Sequence, residues 1–416
     1  MVLQNNYFTL EFSESLMLAK DALDRAASIG YMPSEYWSTL ELYHHNLSAI
    51  DPSEITLAES SYQKALEHND NNISAHLWYA SLLSEGTFVA EEVSSISLLE
   101  QAIQLNQMAL KLDPKNRIVN GNYNINLVDT GQLARALENL KGLTVKDPDY
   151  PHYKSLLARV YYLQGNFSES SRWIIGSNSS SASTAFNALE LLMAMNNDSL
   201  STRFFDNIEA ENPAYERIRI FESAFNLSKT ELIGRAQVTL LQPDFDNWSR
   251  AIARALYYYG EFEWSKKLQE NVNLEWEKET PRFRLNGKLV VNYISVSYLA
   301  GDTERAMLLA TRALNNNRER VRLSPNGKWI DDATYYMVLQ RPEEAITEIE
   351  SAFQDGYRHY YLNVHENPIF DSIAADPRMK QIKRKTDVHI SRQIKAVEAN
   401  FIQAGLIAPI PLPSTF

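Results

Sequence analysis

The stretch Met108–Leu140, MALKLDPKNRIVNGNYNINLVDTGQLARALENL, constrains the fold more than any other part of the chain. A helical segment ends at Leu112, where Asp113-Pro114 breaks it: proline has no N–H to donate and pushes the residue before it out of the α region. A second helical segment runs through Leu127, and Gly131 turns the chain. Leu133, Ala136, Leu137 and Leu140 then recur on one face of a third. A helix pair of this kind buries its apolar stripe only against further pairs, so the pattern demands repetition.

The rest of the chain repeats it. Ser13–Ile29 carries Leu16, Ala19, Leu23 and Ala26 at helical spacing and stops at Gly30. Tyr36–Leu47 and Ser53–His68 form the next pair, the second opened by the helix-start signature Asp51-Pro52-Ser53-Glu54. Helix, Asp-Pro, helix and glycine turn in this order resemble the tetratricopeptide repeat (TPR) family over nearly the whole chain. The resemblance implies an all-α, right-handed TPR solenoid of antiparallel helix pairs. It also implies a frame with large residues near positions 4, 7 and 11, small ones at 8, 20 and 27, and proline near 32. Frames begin at Ile73, Arg117 and Pro151, return around Asp246, and recur from Gly287 and Asn326. In the Asn326 frame, Trp329, Ala333, Ala345 and Ala352 fall at positions 4, 8, 20 and 27. In the Ile73 frame the small pair arrives late, at Ala102 and Ala109. A loop of about ten extra residues centred on Gly86–Ser95 accounts for the delay, an insertion that costs little at the surface.

The expected organisation is an N-terminal array over residues 1–176, then a serine-rich linker with degenerate helical repeats over 177–245. A C-terminal array follows over 246–360. Residues 361–416 hold a capping segment, a basic terminal helix with Ile390, Ile394, Val397 and Phe401 on one stripe, and a proline-broken tail.

Composition narrows the function. A net charge of −12 argues against direct nucleic-acid binding, which needs a concentrated basic surface. The absence of cysteine removes disulfides, thiolate nucleophiles and cysteine-bound metal. The first residues, MVLQNNYFTLEF, have neither the basic nor the apolar region of a signal peptide, and no apolar run is long enough to span a membrane. The chain is therefore expected to be cytoplasmic, or to have been cut from a longer protein.

A narrower resemblance lies in AHLWYASLL (Ala75–Leu83), MALKLDPKN (Met108–Asn116) and NPIFDSIAADPRMKQI (Asn367–Ile382). These phrases resemble the TPR regions of bacterial CadC-like winged-helix transcriptional regulators and of class III adenylate cyclases. In both, an Asp-Pro-Arg segment closes the array, here Asp376-Pro377-Arg378-Met379. That resemblance implies a non-catalytic sensory or interaction module of a bacterial regulatory protein, periplasmic if the parent is membrane-anchored. The alternatives are a free-standing cytoplasmic adaptor or the TPR region of a cyclase. Neither a winged helix nor a cyclase domain occurs in this sequence.

No phosphate loop, zincin pair, nucleophile elbow or dinucleotide fingerprint occurs, so no catalytic, cofactor or metal residue is assigned. His44-His45 are adjacent rather than four apart, so on a helix their rings diverge. The candidate binding groove lies on the first helices, away from their packing residues. It comprises Ser74, Trp78 and Ser81, then Asn122, Ile125 and Asn126, then His152, Ser155, Arg159 and Tyr162. A polar face with an arginine and aromatic anchors suits a protein partner or an extended peptide, whose backbone needs hydrogen bonds. The TPR subtype that grips carboxylate termini is disfavoured, because its positions read Leu77 and Ser81, Gly121 and Ile125, and Ser155 and Arg159. A homodimer stays open. Arg378–Lys395 holds seven Lys or Arg against Asp387 alone, a run that reads as the wet side of a capping helix or a dock for an acidic partner or membrane surface. An enzyme with its site in the groove is the rival class.

Overall fold

The computed structural model describes residues 12–48, 53–85, 95–175, 182–207, 224, 227–240, 247–273, 288–318, 328–358 and 364–407. Among them every regular element is helical. Two compact units divide the chain, the first spanning residues 1–130 with 278–284 and the second 131–277 with 285–416. The insertion over 86–94, the serine-rich residues 176–181, residues 208–223 of the degenerate stretch and the tail from 408 lie outside the described residues.

The first unit holds α1 (Phe12–Ser28), α2 (Ser34–Leu47), α3 (Glu54–His68), α4 (Ile73–Glu85), α5 (Ser95–Leu112) and α6 (Arg117–Asp129). Each helix packs on its neighbour in sequence, and α2, α4 and α6 also pack in series, as stacked first helices of successive pairs should. Polar residues fix the joints. Asn72 caps α4 by accepting from the Ala75 amide at 3.0 Å, and its own amide donates to Ser34 Oγ at 2.6 Å. Ser34 in turn donates to the Ala65 carbonyl at 2.7 Å, so three helices are tied by one buried relay. Asn116 caps α6 in the same way, accepting from Val119 at 3.1 Å.

The second unit begins with α7 (Leu133–Lys146), α8 (Pro151–Leu163), α9 (Phe167–Ile175), α10 (Ala182–Met195) and α11 (Asp198–Asn207). It continues through α12 (Lys229–Thr239), α13 (Asn247–Tyr258), α14 (Phe262–Asn273), α15 (Lys288–Leu299) and α16 (Thr303–Arg318). It ends with α17 (Lys328–Val338), α18 (Pro342–Gln354), a 3₁₀ turn at Pro368–Ile373 and α19 (Pro377–Gln403).

Four of its pairs are joined by the same turn. The middle residue, Gly165, Gly260, Gly301 or Gln340, sits left-handed at φ 70°, 77°, 90° or 57°. In each turn its amide and the next one bond back onto the last turn of the preceding helix, as when Gly165 bonds Tyr162 and Asn166 bonds Tyr161. Seven residues before that position and five after it the side chains are small or fully buried: Ala158 and Ser170, Ala253 and Ser265, Ile294 and Ala306, Ala333 and Ala345. Where the second member is serine it donates across the pair, Ser170 to the Ala158 carbonyl at 2.8 Å and Ser265 to Ala253 at 2.6 Å. The small residues of the repeat frame thus mark where the helices of a pair meet most closely.

The terminal helix departs from a simple end cap. Besides packing on α18, α19 returns to α9, more than 200 residues earlier in the chain. His389 Nε2–H donates to the Gly165 carbonyl at 2.6 Å, and Gln393 donates to the same oxygen at 3.1 Å while accepting from the Ser168 amide at 3.0 Å. Asn400 donates to Ser168 and Ser171, Arg203 pairs with Glu398 at 2.5 Å, and Phe204 meets Phe401. Ile390, Val397 and Phe401 are buried in this seam and Ile394 is half-buried.

Candidate protein-interaction faces

In the first unit α4 and α6 present the expected groove residues side by side. Ser74 is exposed, and Trp78, Ser81, Asn122 and Ile125 are half-buried. Asn122 Nδ2 donates to Ser81 Oγ at 2.9 Å, bridging the two helices, and Ser81 donates to its own helix at Leu77. One side of Trp78 is backed by Leu77, Ala109 and Val119. A ring held on one side and wet on the other can seat an apolar group without reorganising. Asn126 differs from the expectation: one helical turn on from Asn122, it is 1% exposed, inside the packing rather than on the face. Four residues on from Asn122, it shares that face by the 3.6 period, so its burial comes from packing that the helical spacing does not encode.

In the second unit the α8 face is more closed than its spacing implies. Arg159 is exposed and His152 half-buried, its imidazole pKa lowered by that burial. Ser155 is buried and accepts from Asn187 at 2.9 Å, while Asn187 also takes the Ser155 carbonyl at 3.1 Å. Tyr162 does not face solvent. It is 8% exposed, and burial pushes its phenol pKa far up, reinforced by Glu190 and Tyr357 and opposed by Arg159 and Arg254. Glu190 of α10, Arg254 of α13 and Tyr357 just after α18 stand near it, with the Phe167 ring 6.1 Å away, surroundings that no local spacing encodes. Opposite it, Leu157, Ala158 and Tyr161 pack inward as the frame requires.

A buried acid was not anticipated. Glu41 on α2 is 0% exposed, with neither carboxylate oxygen partnered among the described residues, and burial raises its pKa well above the usual range. Tyr62 and Tyr79, stacked at 4.2 Å, lie close enough for Glu41 to raise both phenols further, Tyr62 to about 12. Being sealed from solvent, Glu41 offers no substrate access. His44 pairs with Glu54 at 2.5 Å and His45 is buried, so the adjacent histidines serve different surroundings. Among the described residues no three His, Cys, Asp or Glu side chains gather as a metal site, and no helix is long and apolar enough to cross a membrane.

No protein family matches the sequence by its profile, and no curated protein matches it. Solved structures do. A tetratricopeptide repeat protein from Parabacteroides merdae ATCC 43184 is 12% identical, with 80% of this chain and 98% of that one covered at a TM-score of 0.27. The Naa15/Naa10 complex bound to HypK-THB contains a chain 13% identical, with 99% of this chain and 68% of that one covered at a TM-score of 0.27.

Proposed function

We propose that this chain is a non-catalytic protein-interaction module whose α4–α6 face binds a protein or an extended peptide. The observation that carries the reading is the juxtaposition of Trp78 and Ile125 with the Ser81–Asn122 bridge on two adjoining helices. An aromatic anchor between hydrogen-bonding side chains matches what a peptide backbone with one apolar side chain requires. Arg159 and His152 supply a smaller, separate polar face in the second unit, from which Tyr162 is withdrawn by burial. The setting favoured by the array-closing Asp376-Pro377-Arg378 phrase is the regulatory part of a bacterial signalling or transcription-regulatory protein. A free-standing adaptor and a cyclase TPR region are its rivals, and the residues flanking this chain in its gene separate the three.

The test is photo-crosslinking in the source cell from position 74, followed by affinity measurement on the captured partner. Trp78→Ala combined with Asn122→Ala should lower the melting temperature, since both side chains also tie α4 to its neighbours, yet leave the full helical signal at the assay temperature. The same change should weaken the partner by about 2 kcal/mol or more, roughly thirtyfold. Unchanged affinity with an intact fold would remove α4–α6 as the binding face.

A further inference from the structure

We propose that a cationic cleft between the end of α18 and the middle of α19 is a second binding site, one that takes an acidic segment of a partner protein in extended conformation. It goes beyond the α4–α6 reading and shares no residue with it.

The cleft, about 370 Å³, has Arg358, Arg384, Lys385 and Arg392 for walls, with Phe353, Val388 and His389 completing it. Among the described residues, four permanent cations and no carboxylate line this recess of a chain whose net charge is −12. Two other cations of α19 are matched: Lys383 pairs with Asp387 at 3.4 Å, and Arg378 pairs with Asp376 at 2.9 Å and with Glu343 at 3.0 Å. Arg384, Lys385 and Arg392 are exposed and have no ion pair among the described residues. Asp376, Asp387 and Glu343 therefore pair with cations outside the cleft.

The cleft is also organised. Arg358 Nη1 donates to the carbonyls of Phe353 at 2.5 Å and Tyr357 at 2.8 Å, and its guanidinium lies 4.1 Å from the Phe353 ring centroid. Lys385 Nζ sits 5.7 Å from the same ring. An aromatic floor with cations held against it lowers the cost of gathering like charges and presents them toward the opening. His389 registers that potential: burial first, then Arg358 and Arg392, lower its imidazole pKa. Val388, 45% exposed, adds an apolar contact beside the charges.

Spacing selects the ligand class. Arg384 and Arg392 are eight residues apart on one helix, about 12 Å at 1.5 Å per residue. One anion engages one end of such a row. An extended chain with carboxylates on alternate residues repeats every ~6.6 Å on one side, so three of them span about 13 Å and meet both ends. Arginine forks match carboxylates in two-bonded geometry, the mode by which arginine clusters read acidic motifs. A recess also admits a chain and excludes a flat bilayer, which decides against a membrane surface.

The experiment uses the full chain and a fluorescein-labelled alternating Glu-Gly peptide of about eight residues, read by anisotropy at low ionic strength. Arg384→Gln with Arg392→Gln is compared with Lys380→Gln with Lys395→Gln, a pair of exposed cations outside the cleft that removes the same charge. The proposal expects saturable binding to wild type, a loss of tenfold or more in the cleft variant, and less than twofold in the control. Equal losses would mean diffuse attraction and overturn it, as would no binding to wild type. Displacement of the peptide by inorganic phosphate beyond that by chloride of equal ionic strength would make the cleft a single-anion site, against the proposal. Phosphatidylserine vesicles bound by wild type and lost by the cleft variant, with the peptide unbound, would assign the surface to membranes and refute it.

Discussion

Gly165→Ala and Gly260→Ala make the same chemical change in two turns of the same geometry, yet they should differ sharply in cost. Both glycines are left-handed, at φ 70° and 77°, so each alanine is strained by about 1–2 kcal/mol, partly offset by ~0.4–1 kcal/mol from the stiffer unfolded chain. At Gly260 an added Cβ meets nothing within 4 Å. At Gly165 it meets Arg358 Cγ at 2.5 Å, Arg358 Cβ at 3.1 Å and the Gly356 carbonyl at 3.4 Å. Those contacts lie at the root of the side chain, where a rotamer change relieves little. An overpacking cost of about 1–3 kcal/mol is therefore added at Gly165 alone. The predicted costs are about 0.5–1 kcal/mol for Gly260→Ala and about 1.5–4 kcal/mol for Gly165→Ala. Urea unfolding followed by far-UV circular dichroism measures both, with equal m values as the check on a common transition. Arg358→Ala removes the Cγ, so in the Gly165→Ala background it should return about 1 kcal/mol or more as a coupling energy. Single costs that agree within experimental error, or a double mutant that is simply additive, would refute the close approach of Arg358 to the Gly165 turn.

Three further outcomes follow from the same geometry. Ala136→Leu and Ala345→Leu, each at a 0% exposed helix contact, should each destabilise by about 1–3 kcal/mol, and unchanged melting for both would refute the repeat frame. Gln340→Gly should raise the melting temperature, because Gln340 holds at φ 57° the position that glycine holds in three other turns; a lowered one would mean its side chain outweighs the backbone strain. Glu41→Leu should stabilise the protein increasingly as pH rises. Below about pH 4 the acid is protonated in both states; above it the unfolded carboxyl ionises while the folded one, its pKa raised by burial, stays neutral. Wild type then loses up to about 1.4 kcal/mol per pH unit until the folded carboxyl itself ionises, and a wild-type-to-variant difference that is flat with pH would exclude a buried neutral Glu41.

Local features were legible in the sequence because they have local causes. Gly131, Gly165, Gly260 and Gly301 are left-handed as a helix-pair turn requires, and the small residues Ala158, Ala333 and Ala345 sit at the tightest contacts. Gln340 was invisible as a turn centre because nothing in its side chain announces a positive φ. The α4–α6 face could be read from spacing in Ser74, Trp78, Ser81, Asn122 and Ile125, since all five keep some exposure on one helical side. Asn126 and Ser155 could not, because polar type suggested a surface where the packing buries them. Tyr162 failed for a different reason. Its spacing from Arg159 is right for a shared face, but the ring is buried where residues from α10, α13 and the end of α18 gather. A Tyr162→Ala change therefore strikes the fold, and no loss of binding in it could be assigned to a groove.

The long-range return of α19 to α9 gives its basic run a meaning. A helix that only capped the array would need one apolar stripe and could leave its cations scattered in water. Here α19 is held on one side by Ile390, Val397 and Phe401 and by the hydrogen bonds of His389, Gln393 and Asn400. Those contacts fix its rotation, and fixed rotation sets which cations turn toward α18. Arg358 stands at the junction, with its Cγ against the Gly165 turn and its guanidinium on the Phe353 ring of the cleft. The closure and the cleft therefore share a side chain. Disturbing the turn at Gly165 displaces a wall of the cleft, whereas the equivalent change at Gly260, with open space around its Cβ, leaves Arg358 where it is.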